Sequence, residues 1–289
     1  QVQGTAPPPK IKRTREGGLQ DAADLALEQK DLAADLTAPG RVRIDAPEVL
    51  GTINPVGARI DDVELKSHRE TVARNSGPVR LFSPAGTPAQ QFAQFGWVGP
   101  KEADGGVKVP DANTVWKASG GPLSPGKPVT LAWDNGAGQQ FTIRFSIDKQ
   151  YMITAERTVA NTAPAPIIAQ PYAFINRTSR TASQDAWTLH SGPIGAFGGA
   201  VNFSNNYADV AKAGEITPPG AANWIGFTDI YWLSALVPQT GAATKAQFRA
   251  VDSEHYRADV LYDPVSIPAG KALTRTTRLF AGAKESEVL

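Results

Sequence analysis

The sequence predicts an all-β protein built from antiparallel sheets. Apolar residues recur with a period of two over much of the chain beyond Arg41, as they do where one face of a strand is buried. Gly 27 and Pro 23 among 289 residues exceed the usual share of about 12% for the two together. They gather between the alternating segments, where turns are needed. Only one stretch has a helical period, so strands are not interleaved with helices as in an α/β fold.

Residues 1–18 read as a linker: Pro7, Pro8 and Pro9 favour an extended chain. Lys10, Lys12, Arg13 and Arg15 form a basic cluster there, either a solvated tail or a contact for lipid headgroups or an acidic partner. Residues 19–36 carry the helical pattern. Leu25, Leu32 and Leu36 form a thin apolar stripe with Ala22, Ala26 and Ala33, and Asp21, Asp24, Glu28, Asp31 and Asp35 make the other face acidic. The stripe is thin, so the helix is expected to dock weakly or fray, and Pro39-Gly40 stops it. Residues 1–40 are therefore assigned as linker with a short helix.

The β domain is assigned to 41–283. Val42 and Ile44 open it. Val129–Trp133 and Phe141–Ile147 flank Asp134-Asn135-Gly136, a hairpin signal. Phe248–Val251 and Tyr256–Tyr262 read as further strands. Turn-rich punctuation falls at 84–88, 99–100, 120–128, 164–171, 192–199, 218–220 and 264–270, and the glycine-rich 192–199 reads as a loop. Leu273–Phe280 reads as a last strand, broken by Gly282, and 284–289 as the start of a helix. Phe280, Lys284 and Leu289 form the expected C-terminal joint, with Phe280 and Leu289 packed on the sheets. No repeat of fixed period is visible.

Lys+Arg 29 against Asp+Glu 28 gives a net charge of +1, which speaks against nucleic acid as partner. Without Cys there is no disulfide, thiolate nucleophile or thiolate-bound metal. No apolar run is long enough to span a bilayer, and no signal peptide opens the chain.

Catalytic candidates fail one by one. His68, His190 and His255 show no metal-binding spacing. Glu254-His255 offers an acid and a base, but neighbours on a strand point to opposite faces. Gly121–Lys127 has the spacing of a phosphate-binding loop, yet Pro128 stands where Ser or Thr should follow. There is no G-x-S-x-G elbow. No enzyme activity, metal or cofactor is expected. The richest aromatic stretch, 224–233, contains Trp224, Phe227, Tyr231 and Trp232. It is either a buried strand pair or a platform for a sugar ring or partner protein.

Gly220–Leu233 resembles the large periplasmic domain of the bacterial YidC/Oxa/Alb membrane protein insertase family. Gly57–Leu65, Phe95-Gly96-Trp97, Leu131–Gly136 and Leu279–Lys284 follow that family's order. The resemblance covers 41–289 and is nearest to variants from alphaproteobacteria. It implies a β-supersandwich of two large antiparallel sheets, galactose-mutarotase-like, with short helices at the termini. It also implies a monomeric accessory domain in the periplasm, part of an inner-membrane protein. A membrane segment would precede Gln1, and the insertase core would follow Leu289. The implied partners are Sec translocon subunits and nascent membrane proteins. A carbohydrate-binding or vestigial sugar-epimerase-like module is the alternative.

Overall fold

The computed structural model describes residues 16–69, 77–184 and 189–285. The basic cluster at 10–15 and Leu289 lie outside them. The chain opens with α1 (Ala22–Asp35), β1 (Val42–Asp45), β2 (Val49–Asn54), β3 (Arg59–Arg69), β4 (Pro78–Phe82) and β5 (Gln91–Val98). Then come β6 (Lys117–Ser119), β7 (Val129–Asp134), β8 (Gln139–Ile147), β9 (Met152–Asn161) and β10 (Ile167–Thr178). After β11 (Gly192–Phe197) and β12 (Ala200–Asn202) a second helix, α2 (Tyr207–Ala213), intervenes before β13 (Glu215–Ile216) and β14 (Ala222–Thr228). The rest is β15 (Trp232–Val237), β16 (Thr244–Ala250), β17 (His255–Tyr262), β18 (Val265–Ile267) and β19 (Lys271–Ala283).

Two sheets result, all their named strand pairs antiparallel. The first has the order β1-β2-β3-β5-β10-β17-β16-β13, with β4 beside β3 and β18 beside β10. The second runs β12-β11-β14-β15-β19-β9-β8-β7-β6. Alternation explains how they face each other. Phe141, Ile143, Phe145 and Ile147 of β8 are buried, while Thr142, Arg144 and Ser146 between them are not. On β17, Tyr256, Ala258, Val260 and Tyr262 point inward and Arg257 and Asp259 outward. Rings from both sheets interlock in the core: Phe95 meets Phe145 at 5.8 Å and Trp97 meets Phe141 at 5.1 Å, both edge-on. Edge-on pairs add to the area they bury.

A cation, the wholly buried Arg157 of β9, bridges the two sheets in this core. It donates to the Gly96 and Tyr172 carbonyls of the first sheet and to Thr277 Oγ1 of the second. Burial pushes its guanidinium down to about 10.

Several expectations need correction. The helix at 22–35 forms, but its polar fastenings come from its acid face, with Leu32 and Leu36 half-buried beside them. Glu28 is 7% exposed and its Oε2 accepts from the Ala89 N–H at 2.9 Å, while Asp24 pairs with Arg180 at 3.2 Å. Leu25 is 45% exposed. The connections at the ends of β5 and β10 offer the Ala89 N–H and the Arg180 guanidinium, which carboxylates satisfy and leucines would not. The expected linker is tied down at its end, where the Gly18 N–H donates to the Thr181 carbonyl. The second helix is internal, not terminal: α2 starts at a reciprocal Asn206–Asp209 capping box and stops at Gly214. Glycine-rich 192–197 is strand β11, held by β14 on one side and β12 on the other. Pro171, read as turn, lies inside β10 where the partner changes from β18 to β17.

Gly282 does not break the last strand. It pairs with Leu233 in mid-register. A Cβ there would lie 2.2 Å from Cγ of Tyr151, so glycine is needed for the close approach of that ring. Lys284 and Glu285 are irregular, and the rest of the expected helix lies outside the described residues.

Candidate functional site

Two concavities collect the side chains that could meet a ligand. The larger, about 510 Å³, opens on the outer face of the first sheet. Its floor follows from strand register. Arg59 of β3 stands beside Gln94 of β5, Gln94 beside Phe174 of β10, Phe174 beside Asp259 of β17, and Asp259 beside Gln247 of β16. Tyr172 lies in the next row. It can lie across the neighbouring strand because Gly96 faces it: a Cβ at 96 would fall 2.7 Å from the hydroxyl. The segment Val109–Ala112 forms a wall.

Hydrogen bonds fix this floor. Arg59 Nε donates to Gln94 Oε1 at 2.7 Å, and Gln94 Nε2 donates to the Tyr172 hydroxyl at 2.8 Å. The guanidiniums lie on rings, Arg59 at 4.5 Å from the Phe92 centroid and Arg257 at 4.0 Å from that of Phe174. Such contacts hold a cation in place without neutralising it. Burial keeps both arginines below the ordinary value; Asp61 opposes this at Arg59 and Asp259 at Arg257, and Arg257 and Arg249 in turn add repulsion. Burial raises the Tyr172 hydroxyl although Arg257, Arg157 and Arg59 all pull it down. Burial also raises Asp259, against the pull of Arg249 and Arg257.

The second concavity, about 320 Å³, is lined by His68, Tyr231, Trp232, Lys284 and Glu285 among others. Trp232 meets the His68 ring edge-on at 5.2 Å, and Tyr231 is 50% exposed. The last described residues are tied here. The Lys284 N–H donates to the Tyr231 carbonyl at 2.9 Å, and Lys284 Nζ donates to Thr228 Oγ1 at 3.2 Å. Burial lowers that ammonium, with Asp229 opposing. The Tyr151 hydroxyl donates to Glu285 at 3.1 Å. Phe280 is buried edge-on against Tyr151 at 5.8 Å.

The structure thus brings Tyr231, Trp232 and Lys284 together and separates them from the other two aromatic candidates. Phe227 is core, stacked on Tyr207 of α2 at 6.0 Å. Trp224 is half-buried on β14 beside Ala196 of β11. The histidines stand apart. His68 lies 3.7 Å from Glu285, and His190 Nε2 is 2.7 Å from the Pro193 carbonyl. His255 Nδ1 is 2.7 Å from Asp252, while Glu254 turns away to Arg180 at 2.9 Å. Glu254 and His255 therefore share no site. Among the described residues no group of His, Cys, Asp and Glu could hold a metal. Sequence reading missed the large cleft entirely, because its residues come from five strands.

Solved structures share this architecture. A galactose mutarotase-related enzyme from Lactobacillus acidophilus superposes with a TM-score of 0.57 at 10% identity, covering 85% of this chain and 98% of that one. A putative aldose 1-epimerase from Escherichia coli gives 0.51 at 7% identity, covering 84% and 99%. At such identity the likeness is one of fold alone. Sequence relatives are far nearer. The membrane protein insertase YidC of Zymomonas mobilis is 40% identical over 285 residues, 96% of this chain and 48% of that protein. That of Bradyrhizobium diazoefficiens is 40% identical over 260 residues, 89% and 42%. The chain thus spans about half the length of these relatives. With residues 41–289 matching the model of the YidC periplasmic domain, the chain belongs to that family.

Proposed function

We propose that the chain is the accessory periplasmic domain of a YidC-type insertase. In this reading it stands in the periplasm between a membrane segment before Gln1 and the insertase core after Leu289. It serves there as a scaffold for Sec translocon subunits and nascent membrane proteins. The family match over 41–289 carries the reading. The tethering of the last described residues supports it. Ala281–Ala283 are laddered to β15, and Lys284 and Glu285 are held by Tyr231, Thr228 and Tyr151. A segment leaving such an end inherits its direction, which a flexible linker would lose.

The test is in vivo complementation by the full-length protein. A Gly-Ser segment inserted after Glu285 should impair membrane insertion more than the same insertion near Pro8. Equal tolerance at both places would refute a rigid joint. Pull-down of translocon subunits by the domain, lost on replacing Tyr231 and Trp232 with Ser, would support the aromatic patch as the contact. Unchanged capture would move the contact elsewhere.

A further inference from the structure

The large cleft holds more positive charge than its own carboxylates neutralise. Arg59, Lys245, Arg249 and Arg257 line it against Asp111 and Asp259. Lys245 is engaged by Glu215 at 3.5 Å and Arg249 by Asp259 at 3.0 Å. Asp111 caps its own turn through Asn113 and Thr114. Asp61, which attracts Arg59 from a distance, is held at close range by Arg41. Arg59 and Arg257 thus form no salt bridge among the described residues, and Arg157 lies wholly buried beneath the same floor. Folding has brought three guanidiniums around Tyr172, and among the described residues none of the three forms a salt bridge. Partly desolvated charge of one sign is costly, and a cleft of that sign concentrates field on an oppositely charged guest.

Three polar atoms add a second requirement. Arg257 Nε, Gln247 Oε1 and Asp259 Oδ2 are buried and make no hydrogen bond, although Asp259 Oδ2 lies 3.0 Å from Arg249. Buried polar groups are rarely left so. The first lacks an acceptor and the other two lack a donor. An oxyanion alone could answer only the first. With the Tyr172 hydroxyl and Gln94 amide nearby, the lining suits a molecule that carries an oxyanion and hydroxyl groups. About 510 Å³ lies within the ordinary range for small-molecule sites.

We infer that this cleft is a binding site for a small polyhydroxylated acid, of sugar-acid size, whose oxyanion is held between Arg59 and Arg257. Guanidinium forks suit a carboxylate or a phosphate equally, so either oxyanion could occupy this position. The site requires no catalysis and does not depend on the insertase reading.

The experiment is titration of the 289-residue chain, followed by amide chemical shifts and calorimetry. Probes are galacturonate, galactose 6-phosphate, galactose, inorganic phosphate and a glutamate-rich peptide. Galacturonate or galactose 6-phosphate should bind at least roughly tenfold more tightly than galactose, the loss expected when a charge-assisted bond is missing. Whichever is tighter identifies the oxyanion. Shifts should centre on β3, β5, β10 and β17, and affinity should fall with salt. Arg257→Gln should abolish binding. Arg257→Lys keeps the charge and the stacking stem, and should retain weakened binding with an unchanged unfolding midpoint. The inference is overturned if neither acid binds at about 10 mM, or if galactose binds as well as the acids. It is also overturned if inorganic phosphate binds as tightly as galactose 6-phosphate, or if only the peptide binds.

Discussion

Gly282→Ala tests how the last described residues are fastened. Gly282 has no unusual backbone angle, so the change strains nothing but space. The new Cβ would lie 2.2, 2.5 and 2.6 Å from Cγ, Cδ1 and Cβ of Tyr151. Carbon atoms rest about 3.5–4.0 Å apart, so the ring must retreat by more than 1 Å or the strand must lift. Tyr151 has no room: it is 2% exposed, Phe280 meets its ring, and its carbonyl accepts from the Ala281 N–H at 3.2 Å. Overpacking of this kind costs about 1–3 kcal/mol. In a Tyr151→Gly background all three of these atoms are gone. Alanine should then be slightly better than glycine in a strand, by about 0.5–1 kcal/mol. The two changes should therefore couple by about 2–3 kcal/mol, measured by urea unfolding of all four proteins. In the Gly282→Ala protein the Lys284 amide should also exchange faster, because Tyr151 no longer holds Glu285. Gly282→Ala as stable as the parent, or equally costly in both backgrounds, would refute the steric argument.

The docking face of α1 gives a paired test. Glu28→Ala removes the acceptor of the Ala89 N–H and should raise hydrogen exchange across 22–35, whereas Leu25→Ala, on the exposed face, should change it little. Asp229 accepts from Arg177 at 2.6 Å and from the Ser183 N–H at 3.0 Å in a buried setting. Asp229→Ala should cost about 3–5 kcal/mol by denaturant unfolding, since it strands a buried cation; Arg177→Met in the same protein should recover part of it. Burial tends to raise the Asp252 carboxyl, but hydrogen bonds from the Glu254 and His255 main chain and the His255 ring prevail and hold it below its ordinary value. Its stabilisation is thus present above the unfolded value near pH 4 and lost as pH falls through the lowered one. Asp252→Asn should therefore destabilise at pH 6, with the difference fading below about pH 3.

The sheets were legible where one face alone is buried. The alternation of Phe141, Ile143, Phe145 and Ile147 maps directly onto the burial of β8, and that of Tyr256–Tyr262 onto β17. The existence of α1 was legible too, but its docking face was not. Periodicity says which residues share a face, while the partner surface decides which face is wanted. Here that surface supplies the Ala89 N–H and Arg180. The seven residues of α2 hold too few turns for a periodic signal. Only the Asn206-x-x-Asp209 spacing before them announced it. Strand β11 was hidden because Gly192, Pro193 and Gly195 have no strand preference, and it is fixed by pairing on both sides. In the candidate sites, Tyr231, Trp232 and Lys284 were found as types without being seen as neighbours. Arg59, Gln94, Tyr172 and Arg257 were not found. Each is an ordinary outward residue on its own strand, and only register makes them a cleft.

That cleft also shows why a mutarotase-like fold does not bring mutarotase chemistry. Moving a proton on and off a sugar's ring and anomeric oxygens needs an acid and a base within reach of one substrate. No histidine lines the cleft, and His68, His190 and His255 are engaged elsewhere. Of its two carboxylates, Asp259 faces Arg249 and Asp111 is occupied by its own turn. What remains is a set of guanidiniums, which stay protonated and so cannot exchange protons near neutral pH, with the Lys245 ammonium paired to Glu215 and the Tyr172 hydroxyl raised by burial. They can orient and neutralise an oxyanion, which is binding without turnover. The scaffold supplies a concave sheet face, and the side chains upon it decide whether that face reacts or holds. On this chain the row Arg59–Gln94–Phe174–Asp259–Gln247 is built to hold.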